Sequence, residues 1–435
     1  MPQETSTRNK QSATSPGSSR ATRSCWHNGS VPAFLLLVIS LLLGGPLAAQ
    51  SFSPEDLDRL TRQITEITGF AARQPIPSET ISREGWKAWV ANEIDEQVKP
   101  DEIRAEELTL KMFGLLPRDF DLRSATVDLL AEQAAAVYDH RRKRMLFIDG
   151  AASGLMNEMV AIHELAHALA DQHFDLTRFI DKAPSTDEAQ AARLAVVEGQ
   201  AMWIMLEAQV SRIGQSLKSD PGIISNFSAS AAANASGLFP AFDRAPLYLR
   251  QTLMFPYMAG LNFQQKALEH YGQRGFSEVL RRPPATTREV LHPEVWIART
   301  PPVRPPLPAH NFPRGYRKLT SGSVGELDFQ IMLTQYTSQP EAESQAPLWR
   351  GGAFDLHEDA QQSRQILRWA TVWATGQAAE DFLRLYARVL KGKAPDTVFT
   401  RDTSNEIAGH NAAGSFRVTR AGARVQALEG LKPAE

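Results

Sequence analysis

The chain has 435 residues, of which 43% are hydrophobic and 22% are charged, an ordinary balance for a soluble globular protein. Its 47 basic and 49 acidic side chains leave a formal charge of −2, so it lacks the basic excess that a nucleic-acid-binding surface requires. We therefore expect no nucleic-acid partner. The length is sufficient for two or three domains with buried cores.

Residues 1–49 differ in composition from the rest of the chain. Residues 1–31 are polar and carry more basic than acidic side chains, and an apolar run over 32–43 follows them. This run is about a dozen residues long, whereas a membrane-spanning helix needs about 20. The pattern predicts a signal peptide that is cleaved near Ala49, and hence a secreted, periplasmic or cell-envelope protein. The alternative is an uncleaved segment that anchors the chain to a membrane.

Cys25 is the single cysteine of the sequence, and it precedes the apolar run. Cleavage near Ala49 would leave a mature chain without cysteine, and therefore without disulfides, thiolate metal ligands or a cysteine nucleophile. Any metal ion would have to be bound by histidine and carboxylate side chains.

Helical patterns dominate the sequence from 51 to about 126. Ser53, followed by Pro54 and two acidic residues, is typical of a helix N-terminus, and apolar residues then recur at helical spacing. A second helical stretch is predicted over about 82–113.

Two apolar runs between 133 and 148 flank a polar turn at 139–144, which indicates a β-hairpin. An exposed strand edge can bind an extended peptide by adding it to the sheet. We therefore expect the second strand, 145–148, to be available for such pairing.

Two long helices follow the hairpin. The first is predicted over 156–172, and the second over 185–211, where Ser185 opens a capping box directly after a proline. Further helices are predicted over 243–271 and 275–282.

A proline-rich stretch over 301–315 predicts a stiff linker between two domains, 50–300 and 316–435. In the second domain we expect a helix over 359–391 and a terminal hairpin over 416–427. The fold class is therefore predicted to be α+β and predominantly helical.

The residues His163-Glu164-Leu165-Ala166-His167 form an H-E-x-x-H motif inside the first of the two long helices. Residues four apart on a helix are neighbours on one face, so the two imidazoles can bind a single zinc ion. Glu164 lies beside them, where it can act as a general base. The apolar residues of this helix lie on another face, so we expect His163 and His167 to face a cleft.

Zinc needs a third protein ligand if a fourth position is left for water, and two residues compete for this role. Glu198 lies on the apolar second helix, where burying a carboxylate is costly unless it is paired or metal-bound. His173 has the spacing of the third metzincin histidine, but the glycine of that pattern is Ala170 here. Glu198 is the favoured ligand. Arg193 could instead pair with Glu198.

His173 and Asp171 are the candidates for support of the metal ligands. His173 lies at the helix end, where it could cap the helix or bond to a ligand. Asp171 lies one turn after His167 and could orient that imidazole, although a solvated helix acid is an equal alternative.

Five sequence segments carry a resemblance to a known family. They are 163–176 (HELAHALADQHFDL), 197–201 (VEGQA), 255–263 (FPYMAGLNF), 283–287 (PPATT) and 291–293 (LHP). These segments resemble a family of secreted bacterial zinc metallopeptidase-like proteins of the gluzincin type. The resemblance covers about residues 55–300 and implies a zincin-like catalytic domain with one zinc ion per chain. One departure is Gln200, at a position that is often acidic in such proteins.

The predicted function is the hydrolysis of peptide bonds in a peptide or protein substrate. Zinc would lower the pKa of a bound water, and Glu164 would accept its proton and pass it to the leaving amine. The oxyanion needs a further donor, for which Tyr257 and His292 are candidates. Their alternatives are a packed aromatic beside Pro256 and a turn residue.

A non-enzymatic envelope protein is the alternative function, with a structural zinc ion and a partner-binding C-terminal domain. Trp349, Trp369 and Trp373 concentrate in that domain and could anchor a partner, but tryptophans in such numbers are predicted to be core residues.

Overall fold

The computed structural model describes residues 52–149, 154–184, 186–234 and 239–432. The signal peptide predicted over 1–49 lies outside the described residues. None of the helices in the described ranges has the length and apolar character that crossing a lipid bilayer would require.

Helices dominate the first part of the chain. In chain order its elements are α1 (Pro54–Thr68), β1 (Ser78–Ile81), α2 (Arg83–Gln97), α3 (Pro100–Phe113) and α4 (Leu122–Gln133). The predicted start of α1 is confirmed, because the Ser53 side chain accepts a hydrogen bond from the Asp56 backbone N–H in a capping box.

The helical stretch predicted over 82–113 is confirmed, and the structure divides it into α2 and α3. Val98 and Lys99 both have extended backbones, with φ/ψ of −122°/125° and −70°/143°. Pro100 follows them, and a proline disfavours helical geometry in the residue before it. The interruption therefore has a local cause.

The predicted hairpin is confirmed as β2 (Ala136–Asp139) and β3 (Arg144–Ile148). The three strands of this sheet have the order β1-β3-β2, with β1 parallel and β2 antiparallel to β3. β3 therefore lies in the middle and has no free edge. The expectation that 145–148 is open to an extended peptide is wrong, because β1 already pairs with it along its whole length.

A group of helices follows the small sheet: α5 (Gly154–Phe174), α6 (Leu176–Asp181), α7 (Asp187–Ser211), α8 (Gly222–Asn234), α9 (Pro240–Arg244), α10 (Leu247–Tyr271), α11 (Gly275–Arg281), α12 (Thr287–Leu291) and α13 (Pro293–Ile297). The buried helix α7 lies at their centre and packs against both α5 and α10. Gln200 Nε2 donates to Gln264 Oε1, and Trp203 Nε1 donates to Gln265 Oε1. Because residue numbers increase together along this contact, α7 and α10 run parallel.

The C-terminal part contains a seven-stranded antiparallel sheet of order β4-β5-β6-β10-β9-β8-β7. Its elements are β4 (Arg317–Gly322), α14 (Glu326–Tyr336), α15 (Gln339–Gln345), β5 (Trp349–Glu358), β6 (Gln365–Trp373), α16 (Gly376–Lys393), β7 (Val398–Asp402), β8 (Glu406–Asn411), β9 (Gly414–Ala421) and β10 (Arg424–Leu431). The α+β fold class is thus confirmed, and so is the terminal hairpin, β9–β10.

The helix predicted over 359–391 is wrong in its first half, which is strand β6. The strand is rich in β-branched and aromatic residues, which fit a pleated, half-buried surface. A new helix, α16, begins only after Thr375, whose side chain accepts a hydrogen bond from the Ala378 backbone N–H. The helix predicted over 359–391 therefore combined a strand and the separate helix that follows it.

The tryptophans of this part are core residues, as the sequence predicts. Trp349, Trp369 and Trp373 are at most 1% exposed. Trp373 stacks on Phe382 of α16 at a ring-centroid distance of 4.4 Å. No partner can reach them in this conformation.

The proline-rich stretch 301–315 lies along the C-terminal sheet. The Val303 backbone N–H donates to the carbonyl of Arg350, and Gln426 Nε2 donates to the carbonyl of Pro306. Phe312 stacks on His357 with ring centroids 3.7 Å apart. The stretch is therefore held to the sheet along its length.

The hydrophobic core continues from the helices into the C-terminal sheet. Phe113 at the end of α3 packs edge-on against Phe354 of β5, with ring centroids 5.7 Å apart. The carbonyl of Gly114 accepts hydrogen bonds from the Tyr336 hydroxyl and from Gln335 Nε2, at 2.6 and 3.2 Å. Two donors from the C-terminal part thus satisfy the carbonyl of the residue that caps α3.

Candidate metal centre

Two imidazoles meet one turn apart on α5. His163 and His167 are separated by four residues, so both side chains project from one face of the helix toward α7. Their Nε2 atoms are 2.9 Å apart, and the rings are nearly perpendicular at an interplanar angle of 82°. The two nitrogen atoms are therefore close enough to bind one metal ion.

Glu198 of α7 completes a triangle of ligand atoms. Its Oε2 lies 3.1 Å from His163 Nε2 and 3.6 Å from His167 Nε2. Zinc-to-ligand bonds of 2.0–2.2 Å in a tetrahedron would separate the ligand atoms by about 3.3–3.6 Å, which is close to these distances. Within the described ranges, these residues are the one group of His, Cys, Asp and Glu side chains that could hold a metal ion.

The three side chains lie in a dry environment that controls their protonation. Burial lowers the pKa of His163 to about 4, so this imidazole is neutral, as a metal ligand must be. Burial also acts against a charged His167, but Glu198 and the other nearby carboxylates raise its pKa. Burial acts to raise the pKa of Glu198, but the two imidazoles lower it below the usual value. Glu198 is therefore an anion that faces two imidazoles.

Glu164 is a fourth buried polar residue and lies beside the triangle. Its Oε2 accepts a 2.6 Å hydrogen bond from the backbone N–H of Tyr138 in β2. Burial raises the pKa of Glu164 to about 7, although His167 acts in the opposite direction. A carboxyl group with such a pKa can accept and release a proton near neutral pH.

Three buried polar atoms of this cluster have no hydrogen-bond partner among the described residues. They are His163 Nδ1, Glu164 Oε1 and Glu198 Oε1. A buried polar group without a partner costs about 1–3 kcal/mol, so their coincidence at one place needs an explanation. A bound metal ion would account for a polar cluster at this place, because the two nitrogens and the carboxylate can serve as its ligands.

The site is closed rather than open to a cleft. His163, Glu164 and Glu198 are fully buried, and His167 is 3% exposed. The expectation that the histidines face a cleft is therefore wrong for this conformation. The cause is α7, whose apolar side chains cover the ligand face of α5.

His173 lies away from the triangle. Its Nε2 is 2.8 Å from the carbonyl oxygen of Ala71, and its ring stacks on Phe70 at 5.2 Å. It thus ties the end of α5 to the segment after α1. Of the two candidates for the third ligand, the structure brings Glu198 to the histidine pair and places His173 elsewhere.

Arg193 does not pair with Glu198. Its Nη1 donates to the carbonyl of Phe179, and its guanidinium lies over the ring of that residue at 4.9 Å. The alternative explanation of Glu198 as half of an ion pair with Arg193 is therefore wrong.

Asp171 supports the site through the hairpin, and no hydrogen bond joins it to His167. Its Oδ2 accepts from the Tyr138 hydroxyl at 2.7 Å, and Lys143 Nζ donates to both oxygens at 2.8 Å. Its Oδ1 also accepts from the backbone N–H of Leu176. Asp171 therefore holds β2 against α5, and it does not orient the His167 imidazole as the sequence led us to expect.

The structure places His292 in a different cluster. Its Nε2 lies 2.7 Å from Glu326 Oε1, at the end of α12. The first residue of α12, Thr287, is bonded to Glu188. Glu188 precedes Glu198 by ten residues of α7, which is about 15 Å along a helix. His292 is therefore paired with Glu326, and its role as an oxyanion donor stays a prediction.

Tyr257 is 4% exposed on α10, one turn before Gly260. Gly260 contacts Gly199, the residue after Glu198, so Tyr257 lies close to the level of the ligand along α7. Its role as an oxyanion donor remains a prediction.

Tyr138 is a functional candidate that the sequence analysis missed. Its backbone N–H donates to Glu164 while its hydroxyl donates to Asp171, so one residue links the two carboxyl groups. The available signal was its position in the hairpin that precedes α5.

We expect Tyr138→Phe to destabilise the protein by about 1.5–3 kcal/mol, because the bond it loses goes to a charged carboxylate. A double-mutant cycle with Asp171→Asn, measured by urea unfolding, checks the direct coupling. Strictly additive effects would show that the hydroxyl and the carboxylate do not interact.

The backbones of α7 and α10 touch at Gly199 and Gly260. A Cβ atom at Gly199 would overlap the carbonyl group of Gly260, and one at Gly260 would overlap the carbonyl oxygen of Ala195. The two glycines let the helices approach this closely. Because Glu198 is next to Gly199, this close approach sets the position of the Glu198 carboxylate.

We expect Gly199→Ala to cost at least about 1–3 kcal/mol of folding free energy, the usual penalty for overpacking, and to weaken metal binding. Gly376→Ala is the matched control, because a Cβ there meets nothing closer than 3.7 Å. Urea unfolding and zinc titration of both variants test this. If the two variants have the same stability and bind zinc equally well, close packing at the helix crossing does not determine either property.

Comparisons with known proteins inform only the C-terminal part. Residues 314–435 match the family model described as Domain of unknown function (DUF8575). This segment coincides with the seven-stranded sheet and its helices. No curated protein and no solved structure is significantly similar to the chain.

Proposed function

We propose that this protein is a zinc-dependent peptidase with a zincin-like catalytic region over residues 50–300. The single observation that carries the proposal is the triangle of His163, His167 and Glu198 with Glu164 beside it. The gluzincin-like sequence motifs support the same assignment. A binding site for a metal alone would not need the fourth group, a buried carboxyl whose pKa suits proton transfer.

His163, His167 and Glu198 would hold the zinc ion and leave one coordination position for water. Zinc, when bound, supplies the Lewis acidity that makes this water nucleophilic near neutral pH. Glu164 would accept a proton of this water on the oxygen that has no protein donor, Oε1, and would deliver it to the leaving amine. The Tyr138 N–H holds the other oxygen, so the carboxyl group keeps its orientation.

The substrate is proposed to be a peptide or protein outside the cytoplasm, in agreement with the predicted signal peptide. Access to the buried centre then requires that α7, or the elements around it, move to admit the substrate. Membrane attachment would arise only if the N-terminal segment is not cleaved.

A second candidate function is a non-enzymatic envelope protein with a structural metal. The complete burial of the ligands favours it, because structural zinc sites are closed whereas catalytic sites keep an open position. In that case no water would be needed at the metal, and Glu164 would have no role in chemistry.

Purified protein loaded with zinc should hydrolyse a fluorogenic peptide mixture, and removal of the metal by a chelator should abolish the activity until zinc is returned. Stoichiometric zinc without any hydrolysis would favour the structural alternative. Absence of zinc binding would overturn both.

A further inference from the structure

We propose that Lys143, in the turn of the β2–β3 hairpin, is a positioning residue for Glu164. This role of Lys143 rests on the proposed function, in which Glu164 is the general base. The connection is a chain of hydrogen bonds that runs from Lys143 through Asp171 and Tyr138 to the Glu164 carboxyl group.

The hairpin turn is a run of basic residues, 140–144 (HRRKR). A run of this kind usually indicates a surface patch that binds an anionic partner. Here every member has a partner within the chain. The pairs are His140 with Thr177, Arg141 with Asp181, Arg142 with Asp139 and Glu93, Lys143 with Asp171, and Arg144 with Glu79. The run therefore serves to attach the hairpin to the elements around it.

Lys143 is the member of this run whose acceptor lies on α5, the helix of the metal ligands. Its Nζ lies 2.8 Å from both carboxylate oxygens of Asp171. The Asp171 side chain is 1% exposed, whereas Asp181 and Glu79, the acceptors of two other members, are 48% and 55% exposed. An exposed ion pair contributes little, but a buried carboxylate that loses its cation is strongly destabilised. The ammonium group of Lys143 thus matters more than its neighbours in the turn.

The backbone of Lys143 supports a role for its side chain. Its φ is +56°, in the left-handed region that favours glycine and is strained for a residue with a Cβ atom. A glycine would relieve this strain but could not reach Asp171. Strain that is kept close to a candidate active site is a reason to look for a function of the residue.

Tyr138 carries the effect of this ion pair to Glu164. Its hydroxyl donates to Asp171 Oδ2 at 2.7 Å, and its backbone N–H donates to Glu164 Oε2 at 2.6 Å. The two acceptors are seven residues apart on α5, which is about 10 Å along the helix axis. Because one residue is attached at two separate points, both the distance and the direction of β2 relative to α5 are fixed.

The position of Glu164 matters because its Oε1 is the oxygen that would face the water on the metal. A displacement of about 1 Å in a catalytic group can cost about 100-fold in rate. Without the Lys143 ammonium, the buried Asp171 carboxylate loses its cationic partner, and Tyr138 loses a fixed acceptor. The strand, and with it the hydrogen bond to Glu164 Oε2, is then held less firmly.

Lys143→Met removes the charge and keeps a side chain of similar length. In the zinc-loaded protein we expect kcat for peptide cleavage to fall about tenfold or more, because the base is less well placed. KM and zinc affinity should change less than about threefold, because the metal ligands are left in place. Lys143→Arg should restore most of the rate, since a guanidinium can donate to both oxygens of the carboxylate.

Amide hydrogen exchange of the zinc-free protein, followed by mass spectrometry, tests the same connection without catalysis. We expect the Tyr138 amide to exchange at least about tenfold faster in Lys143→Met than in the wild type, because its hydrogen bond to Glu164 opens more often. Exchange in α16 of the C-terminal part should stay the same. Equally faster exchange in α16 would show a general loss of stability and would overturn the proposal.

Arg141→Met and Arg144→Met are the matched controls, because they make the same kind of change in the same turn at exposed ion pairs. They should alter kcat and the exchange of the Tyr138 amide less than about twofold. An equal loss of rate in all three variants would indicate that the hairpin tolerates no change, and it would overturn a specific role of Lys143.

The two measurements separate this role from the proposed function. Unchanged kcat and unchanged exchange in Lys143→Met would overturn the positioning role and leave the peptidase intact. If the wild type hydrolyses no peptide, the peptidase is overturned. Faster exchange of the Tyr138 amide in Lys143→Met would then still show that Lys143 holds the bond between Tyr138 and Glu164.

Discussion

Replacing Glu198 by alanine is expected to strip the metal from the purified protein. Two imidazoles alone leave the ion without the anionic ligand that lies 3.1 and 3.6 Å from them. Loss of a residue that only supports a metal ligand already costs about 10–100-fold in affinity, so loss of a ligand itself should exceed about 100-fold. Zinc content by mass spectrometry and competition with a chromophoric chelator measure the effect.

His173→Ala is the control for this experiment, because His173 is the other residue that the sequence offers as third ligand. It bonds to the carbonyl of Ala71, so its loss should leave the zinc content unchanged. The opposite result, with zinc lost from His173→Ala and retained by Glu198→Ala, would contradict the proposed ligand set.

Glu164→Gln should retain zinc and lose hydrolysis. The amide oxygen can still accept the hydrogen bond from the Tyr138 N–H, so the local packing is preserved. The amide cannot accept a proton, and the loss of a general base usually costs about 10²–10⁴-fold in rate. Zinc content and the rate of peptide cleavage are both measured on the same preparation.

Glu158→Gln provides the matched control, since it makes the same substitution on the same helix at a partly exposed ion pair with Arg59 and Arg212. It should change the rate little. Full activity of Glu164→Gln would exclude Glu164 as the base. A large loss of cleavage rate in Glu158→Gln would show instead that activity is sensitive to such a substitution elsewhere on α5.

The sequence predicts the metal triangle because each of the three ligand residues can be recognised from its own helix. The two histidines share a face through helical periodicity alone. Glu198 stands out because a carboxylate on an apolar helix needs a partner to be buried. The hairpin is predicted by two apolar runs and a polar turn, and the structure confirms it.

Other features depend on contacts between distant residues, which one sequence does not contain. The hydrogen bond from Tyr138 to Glu164 is made by a backbone N–H and has no sequence signature. His292 lies in a motif-like segment, but its partner, Glu326, belongs to the C-terminal part. Burial of the metal ligands results from the packing of α7 on α5, so a pattern of polar and apolar faces could not predict it.

The contact between α3 and the C-terminal sheet has a consequence for how the chain can be divided. Tyr336 and Gln335 bind the carbonyl of Gly114, and Phe113 packs on Phe354. A fragment that ended at the prolines would expose this aromatic surface and leave the helix terminus unsatisfied. We therefore expect the helical region that carries the metal triangle to fold and to stay soluble only together with the C-terminal sheet.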